Sequence, residues 1–378
     1  MCCIPPQNRP VRLVSAVLVF TLVVALGVGA TAPTATAADS SDSLAQRTAG
    51  DCSFPVTRTD ATGTAVTLSE RPERIATLSP SAAQTLWEIG ARDRVVGVSE
   101  FAGYLDGAAS LPVVNTASGG IQSERLVALD PDLVIAPGTI SNETVATLRD
   151  QGLTVYAMDS PATIEGVADA TTRLGRLTGE CAGAAETNAW MRANVAAVRE
   201  AVDDDPRPTA LYVFSDGWTV GADTFISDVM TAAGTRNAVA GVVSGYARVS
   251  PEVVRERDPA WIVYNSRDGI PDAAAYRGTK AVQENRTVEV NVNYLNQPAP
   301  RSIVRTVRTI ATAIHPAAVD ESSYVPRSAV ESANATATAT ATPTPTDRAT
   351  TGGGPGFGVG TALVGVLFAL LVARGRRR

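Results

Sequence analysis

Between residues 70 and 320 the chain alternates short apolar runs with stretches whose apolar residues recur every three to four positions. The first pattern belongs to strands buried on both faces, the second to amphipathic helices. Strands are expected at residues 74–78, 95–99, 132–136 and 153–158. Between them lie three helices. The first is capped by Ser79-Pro80, keeps Ala82, Leu86 and Ile89 on one face and stops at Gly90; the others cover 123–129 and 142–150. The alternation then breaks, and residues 163–175 and 182–202 read as helices with no strand between them. The second of these is about 20 residues long, or roughly 30 Å. Beyond Asp203-Asp204-Asp205-Pro206 the alternation resumes, with strands at 210–214, 261–265 and 287–292 and helices at 225–233, 251–258 and 301–315. Strands alternating with helices imply parallel sheets covered on both faces. The expected architecture is therefore α/β, with two lobes joined by one long, stiff helix that permits modest closure.

A weak internal repeat relates the lobes. Residues 122–135 and 250–263 each read as a capped helix, an Asp-Pro turn (Asp130-Pro131, Asp258-Pro259) and a buried strand. One glutamate follows each cap, Glu124 and Glu252. An acidic residue there complements the helix dipole, which is reason enough for either one; their matched placement in both lobes points further.

The two ends carry different information. The first 38 residues contain no Asp or Glu, and Arg9 and Arg12 precede an apolar run from 13 to 30, followed by the small residues Ala35, Thr36, Ala37 and Ala38. This is the layout of a secretory signal peptide, with a retained N-terminal helix as the alternative. No lipobox follows, and Cys52 lies too far downstream to carry a lipid. At the other end, Pro355-Gly356-Phe357 opens an almost wholly apolar stretch at 358–373, closed by Arg374, Arg376, Arg377 and Arg378. A span needs about 17–25 apolar residues, and terminal arginines indicate a cytoplasmic end. Residues 332–351, made largely of Ala, Thr and Pro, read as an extended stalk. The chain thus divides into a signal peptide (1–38), an N-terminal strap (39–69), an N-terminal lobe (70–160), a helical linker (161–203), a C-terminal lobe (204–320), a stalk (321–354) and an anchor (355–378). Sequons for N-glycosylation begin at Asn142, Asn285 and Asn334.

Charge and cysteines narrow the picture. All 38 acidic residues lie within 39–350, against 26 basic ones, so the exported part has a net charge of −12. Lys280 is its single lysine. Such a chain is a poor partner for nucleic acid; its acidic, lysine-poor surface is that expected of a halophile. Cys2 and Cys3 leave with the signal peptide. Cys52 and Cys181 remain, and an even pair in an exported chain points to one disulfide, two separate buried thiols being the alternative. With His315 as the single histidine, a site built from several imidazoles is excluded.

Three segments carry a resemblance. Arg71-Pro72-Glu73-Arg74-Ile75-Ala76-Thr77-Leu78-Ser79-Pro80-Ser81, the run Arg92-Asp93-Arg94-Val95-Val96-Gly97-Val98-Ser99 and residues 124–135 are similar to the vitamin B12 and ferric-siderophore class of periplasmic binding proteins. The similarity covers about residues 70–320, and its motifs mark the fold far better than the ligand. It implies two Rossmann-like lobes joined by one interdomain helix, the class III arrangement, with ligand held between them. It implies delivery of a metal-chelate nutrient to the permease and ATPase of an ABC importer: a corrinoid first, then a ferric siderophore or haem. It implies that Glu124 and Glu252 dock onto permease arginines. Phe101, Tyr104, Trp218 and Tyr246 fall in loops where the family presents aromatic rings to ligand, and Tyr294 and Asn296 in a final loop near the cleft. Arg248 and Arg301 are the arginines available for an anionic chelate. The B12 binders carry a tryptophan before the first docking glutamate; here the loop reads Ala117-Ser118-Gly119-Gly120. The C-terminal tail resembles the archaeal PGF-CTERM sorting signal, which implies replacement of the tail by a lipid.

The expected protein is a secreted monomer held at the outer face of the cell membrane, with no catalytic residue, no resident metal and no cofactor. An enzyme on the same fold lacks a convincing Ser-His-Asp set or phosphate-cradling glycine loop. A surface adhesion or structural protein is a third reading, disfavoured by two similar lobes bridged by a helix.

Overall fold

The computed structural model describes residues 52–118 and 120–330. The signal peptide, the Asn334 sequon, the Ala/Thr/Pro-rich run and the PGF-type tail lie outside the described residues. Among the described residues no helix is long and apolar enough to cross a membrane.

In the N-terminal lobe a hairpin, β1 (Val56–Thr59) and β2 (Ala65–Leu68), precedes β3 (Ile75–Thr77), helix α1 (Pro80–Ile89), β4 (Val95–Ser99), β5 (Val113–Asn115), α2 (Ser123–Ala128), β6 (Leu133–Ala136), α3 (Asn142–Asp150) and β7 (Val155–Ala157). The sheet order is β5-β4-β3-β6-β7, all parallel. Successive residues of β6 alternate between two cores: Leu133 and Ile135 join one, Val134 and Ala136 the other. This two-residue period is why a fully buried strand reads as an unbroken apolar run.

Two helices follow, α4 (Ile164–Thr178) and α5 (Cys181–Ala201). The C-terminal lobe then adds β8 (Thr209–Val213), β9 (Trp218–Val220), α6 (Phe225–Ala232), β10 (Arg236–Asn237), β11 (Tyr246–Arg248), α7 (Pro251–Arg257), β12 (Trp261–Asn265), the single-turn helices α8 (Ala274–Arg277) and α9 (Lys280–Gln283), β13 (Thr287–Val290), α10 (Val292–Leu295) and α11 (Pro300–Ile314). Its parallel sheet runs β10-β8-β12-β13, and β9 pairs antiparallel with β11. The cores again alternate along a strand: Ala210 and Tyr212 on one face of β8, Leu211 and Val213 on the other.

The internal repeat is structural. β4-β3-β6-β7 in one lobe and β10-β8-β12-β13 in the other share order and direction. In both, the Asp of the Asp-Pro turn adopts a left-handed backbone, with φ 45° at Asp130 and 36° at Asp258. Aspartate tolerates that region because its short side chain bonds locally.

Both linker helices reach both cores. Ile164, Val167 and Ala168 of α4 belong to the C-terminal core and Leu174 and Leu177 to the N-terminal one. Ala184 of α5 packs in the N-terminal core, while Trp190, Met191, Val195 and Val198 return to the C-terminal core. The chain therefore crosses between cores as a helical hairpin. Gly183 lets the first turn of α5 pass close against the end of α1, since a Cβ there would collide with the backbone carbonyl of Ile89.

Two boundaries also move. The 56–68 part of the strap is the β1/β2 hairpin, whose Val56, Val66 and Leu68 join the N-terminal core. Val325, expected within the stalk, is bonded to α5 instead. Val325 O accepts from Trp190 Nε1 at 3.0 Å and from Asn194 Nδ2 at 2.9 Å, and its N–H donates to Asn194 Oδ1 at 3.0 Å. Cys52 and Cys181 form a disulfide.

Candidate ligand-binding cleft

In parallel α/β sheets, ligands bind beyond the carboxyl ends of the strands. Here both sheets deliver those ends to one cleft. Leu78 and Ser79 follow β3, Ser99 ends β4, Asn115 ends β5, Pro137 follows β6, and Met158 and Asp159 follow β7; all line one cavity of about 450 Å³. Phe214, which follows β8, lines a second cavity of about 500 Å³ with Phe225 and Tyr246. Thr139, Ser160, Pro161, Asn296 and Pro298 border both, so the two cavities are continuous.

Local chemistry explains the shape. Ser79 closes β3 and caps α1, its Oγ accepting from Ala82 N at 3.1 Å. Gly138 lets the β6 loop pass close under the β7 loop, since a Cβ there would meet Met158 O at 2.7 Å. Asn296 is steered from beneath: the Tyr212 hydroxyl donates to its Oδ1 at 3.3 Å and accepts from Asn265 Nδ2 at 3.1 Å. Burial raises the pKa of that hydroxyl, so it remains a donor. Two buried polar atoms lining the first cavity, Ser99 Oγ and Asn115 Oδ1, have no protein partner among the described residues.

The structure brings several of the expected ligand residues together and separates others. Phe101 and Tyr246 are exposed by 37% and 51% and line the cleft with Asn296. Trp218 is 37% exposed at the start of β9, directly across from Arg248 on β11. Arg248 is exposed and pairs with Asp216 at 3.4 Å. Tyr104 instead packs against the N-terminal core. Its hydroxyl accepts from Gln84 Nε2 at 2.7 Å, and its ring meets Tyr294 edge-on at 6.1 Å. Burial pushes the Tyr104 hydroxyl up to about 12. These two tyrosines form part of the seam between lobes and line neither cleft cavity. Arg301 is a correction: it lines a different cavity, paired with the Glu88 carboxylate, because its helix turns it away from the cleft.

Other cleft residues escaped sequence reasoning. Arg267, just beyond β12, holds its guanidinium 5.3 Å from the Phe101 ring centre, across the two lobes. Phe214 sits 6.5 Å from Tyr246 and stacks edge-on with Tyr212 at 4.8 Å. The signal that would have found them is their place immediately after a strand. Glu124 and Glu252 are both exposed, each in the first turn of its helix. Glu252 pairs with Arg255 at 3.1 Å. Asn142 and Asn285 are exposed.

Comparison with known proteins places this geometry. Residues 75–294 match the family model described as periplasmic binding protein. The chain is 44% identical over 311 residues to a cobalamin-binding protein of Halobacterium salinarum, covering 78% of this chain and 83% of the relative. An ABC transporter substrate-binding lipoprotein of Bacillus subtilis, YvrC, is 25% identical, with 70% of this chain and 86% of the relative covered. The structure of the periplasmic vitamin B12 binding protein BtuF of Vibrio cholerae superposes with a TM-score of 0.57 at 26% identity, over 65% of this chain and 98% of that one. With a family match over most of the folded body and a relative at 44% identity, the chain belongs to the periplasmic binding proteins, which are solute binders.

Proposed function

We propose that the protein captures a cobalamin or related corrinoid outside the cytoplasm and hands it unchanged to an ABC importer. The make-up of the cleft carries the reading. Its walls are largely apolar, with Phe101, Phe214 and Tyr246 at the surface. Thr139, Ser160 and Asn296 offer polar contacts where the two cavities meet. A corrin has a broad apolar face and a rim of neutral amides, which complement those groups. An anionic chelate would favour converging cations, yet Arg248 is paired with Asp216 and Arg301 with Glu88, which leaves Arg267 at the Phe101 ring and no converging set among the described candidates. The cobalamin-binding relative supports the same ligand class.

Delivery rests on Glu124 and Glu252, the matched acids of the two lobes, which meet basic groups of the permease. Exposed pairs contribute about 0–1 kcal/mol each, so they set orientation more than affinity. The exported body works as a monomer at the outer membrane face, tethered through the segment that follows residue 354. The test titrates purified protein with cyanocobalamin, haemin and a ferric siderophore, followed by visible absorbance. One site that saturates with the corrinoid and returns it intact is expected. Saturation by haemin or the siderophore in its place reassigns the ligand, and chemical turnover overturns the reading of a pure binder.

A further inference from the structure

A second cavity, of about 400 Å³, lies away from the cleft and shares no lining residue with it. Helix α1 separates the two. Its first residues, Pro80 to Ala82, line the cleft, and Glu88 near its last turn lines the second cavity. Four arginines converge there: Arg301, Arg305, Arg308 and Arg327. The first three recur at four- and three-residue spacing on α11 and so form a stripe along one face.

Each guanidinium is fixed in place. Arg327 lies 4.4 Å from the Trp190 ring centre, Arg308 5.3 Å from Tyr324 and Arg305 5.0 Å from Tyr294. Arg301 and Arg327 both pair with Glu88, whose side chain is 4% exposed. Among the described residues, one carboxylate therefore faces four cations. The Asp320 carboxylate is turned to the N–H groups of Ser322 and Ser323, and Asp320 offers the cavity side its carbonyl, to Arg308 Nη2 at 3.0 Å. Arg308 Nη1 is out of solvent and has no partner among the described residues. Like charges spaced four residues apart on a helix repel, and buried donors are almost always bonded. On a chain whose net charge is −6, such a concentration of unneutralised guanidinium calls for a ligand.

We propose that this cavity binds a multivalent oxyanion of the phosphate or sulfate type. Planar guanidinium forks suit oxyanions bidentately, so the preference is for tetrahedral, multiply charged anions over chloride. Because Glu88 belongs to one lobe and α11 to the other, the bound anion reinforces the seam between them.

Isothermal titration and thermal unfolding at constant ionic strength test this on the purified protein, with sodium phosphate, sulfate and chloride as titrants. Phosphate or sulfate should bind at one site and raise Tm, with chloride at least tenfold weaker. Arg305→Gln with Arg308→Gln leaves the Glu88 pairs intact; it should weaken oxyanion binding at least tenfold and abolish the Tm shift. In anion-free buffer the same double variant should melt no lower than the parent, because charge repulsion is relieved. Absence of oxyanion binding, equal response to chloride, or a shift that survives in the variant overturns the proposal. So does an anion-free variant that melts lower, which would make the stripe a purely structural feature.

Discussion

The side chain of Gln84, on α1, joins the two lobes by accepting from Ser302, on α11: its Oε1 takes the Ser302 N–H at 3.0 Å and the hydroxyl at 3.1 Å. Its Nε2 donates to the Tyr104 hydroxyl, so every contact of this fully buried amide is used in the seam. Separating the lobes would strand both ends of the network in a poorly hydrated interior, where an unmade hydrogen bond is costly. Together with the α4/α5 hairpin, this makes the body stiff, and closure on ligand is modest.

Gln84→Ala should therefore destabilise the protein by about 2–3 kcal/mol, because it leaves the Ser302 donors and the Tyr104 hydroxyl unpaired. Chemical denaturation measures the loss, and small-angle scattering should register a wider spread of lobe separations. An unchanged denaturation midpoint would show that the seam bonds are dispensable.

Removal of cleft aromatic surface should be felt by ligand alone. Phe101→Ala and Tyr246→Ala remove rings that are already half exposed in the free protein, so the fold loses little. Each should weaken corrinoid binding by about 1–3 kcal/mol through lost burial and stacking. Trp218→Ala tests whether the β9/β11 rim also contacts ligand. A lower Tm with unaltered affinity would assign the ring in question to packing.

Docking is separable from capture. Glu124→Arg combined with Glu252→Arg should leave corrinoid affinity within twofold and abolish uptake in cells, since both acids are exposed and neither lines a cleft cavity. Persistent uptake would reduce the two glutamates to helix-dipole partners.

The strands of both sheets were legible because a strand buried on both faces is a continuous apolar run; the 261–265 strand was located to the residue. The edges were not. Val113–Asn115 has three residues, two of them only half buried, and β9 and β11 have three residues each, with three of the six exposed, so neither shows a periodic signal. The site divides the same way. The repeat put Glu124 and Glu252 in the first turns of matched helices, and Asn296 borders both cleft cavities. Arg301 was misplaced because the rotation of α11 is set by packing and by a Glu88 partner 213 positions earlier in the chain. Arg267 was missed because its role depends on a ring contributed by the other lobe.

Acid should find a weak point at Asp60, which opens the turn between β1 and β2. Burial pushes its carboxyl up, but hydrogen bonds from Thr62, Ala157, Arg149 and Thr64 outweigh this and hold it below the usual carboxylate value. A depressed pKa contributes stability that is present above the unfolded value, near about 4, and lost as pH falls through the folded one. Asp60→Asn should lower Tm at pH 7 and flatten the decline of Tm below about pH 4, where the parent loses this term. A parallel acid limb in parent and variant would exclude Asp60 as its source.

The Cys52–Cys181 bond should carry a larger share of stability than any surface ion pair. Cys52 precedes the β1/β2 hairpin, and Cys181 opens α5 where that helix turns in beside α1. The link closes a loop of about 130 residues, for which chain entropy predicts roughly 4–5 kcal/mol, native strain being ignored. Salt screens the exposed pairs that hold the same region, such as Arg71–Glu180, but leaves a covalent link untouched. Cys52→Ser should lower the denaturation midpoint at every salt concentration, with corrinoid affinity unchanged because neither cysteine lines the cleft. Thiol labelling of the unreduced, denatured parent supplies the direct measurement. No labelled cysteine is expected in the exported body, and two labelled thiols would refute the bond.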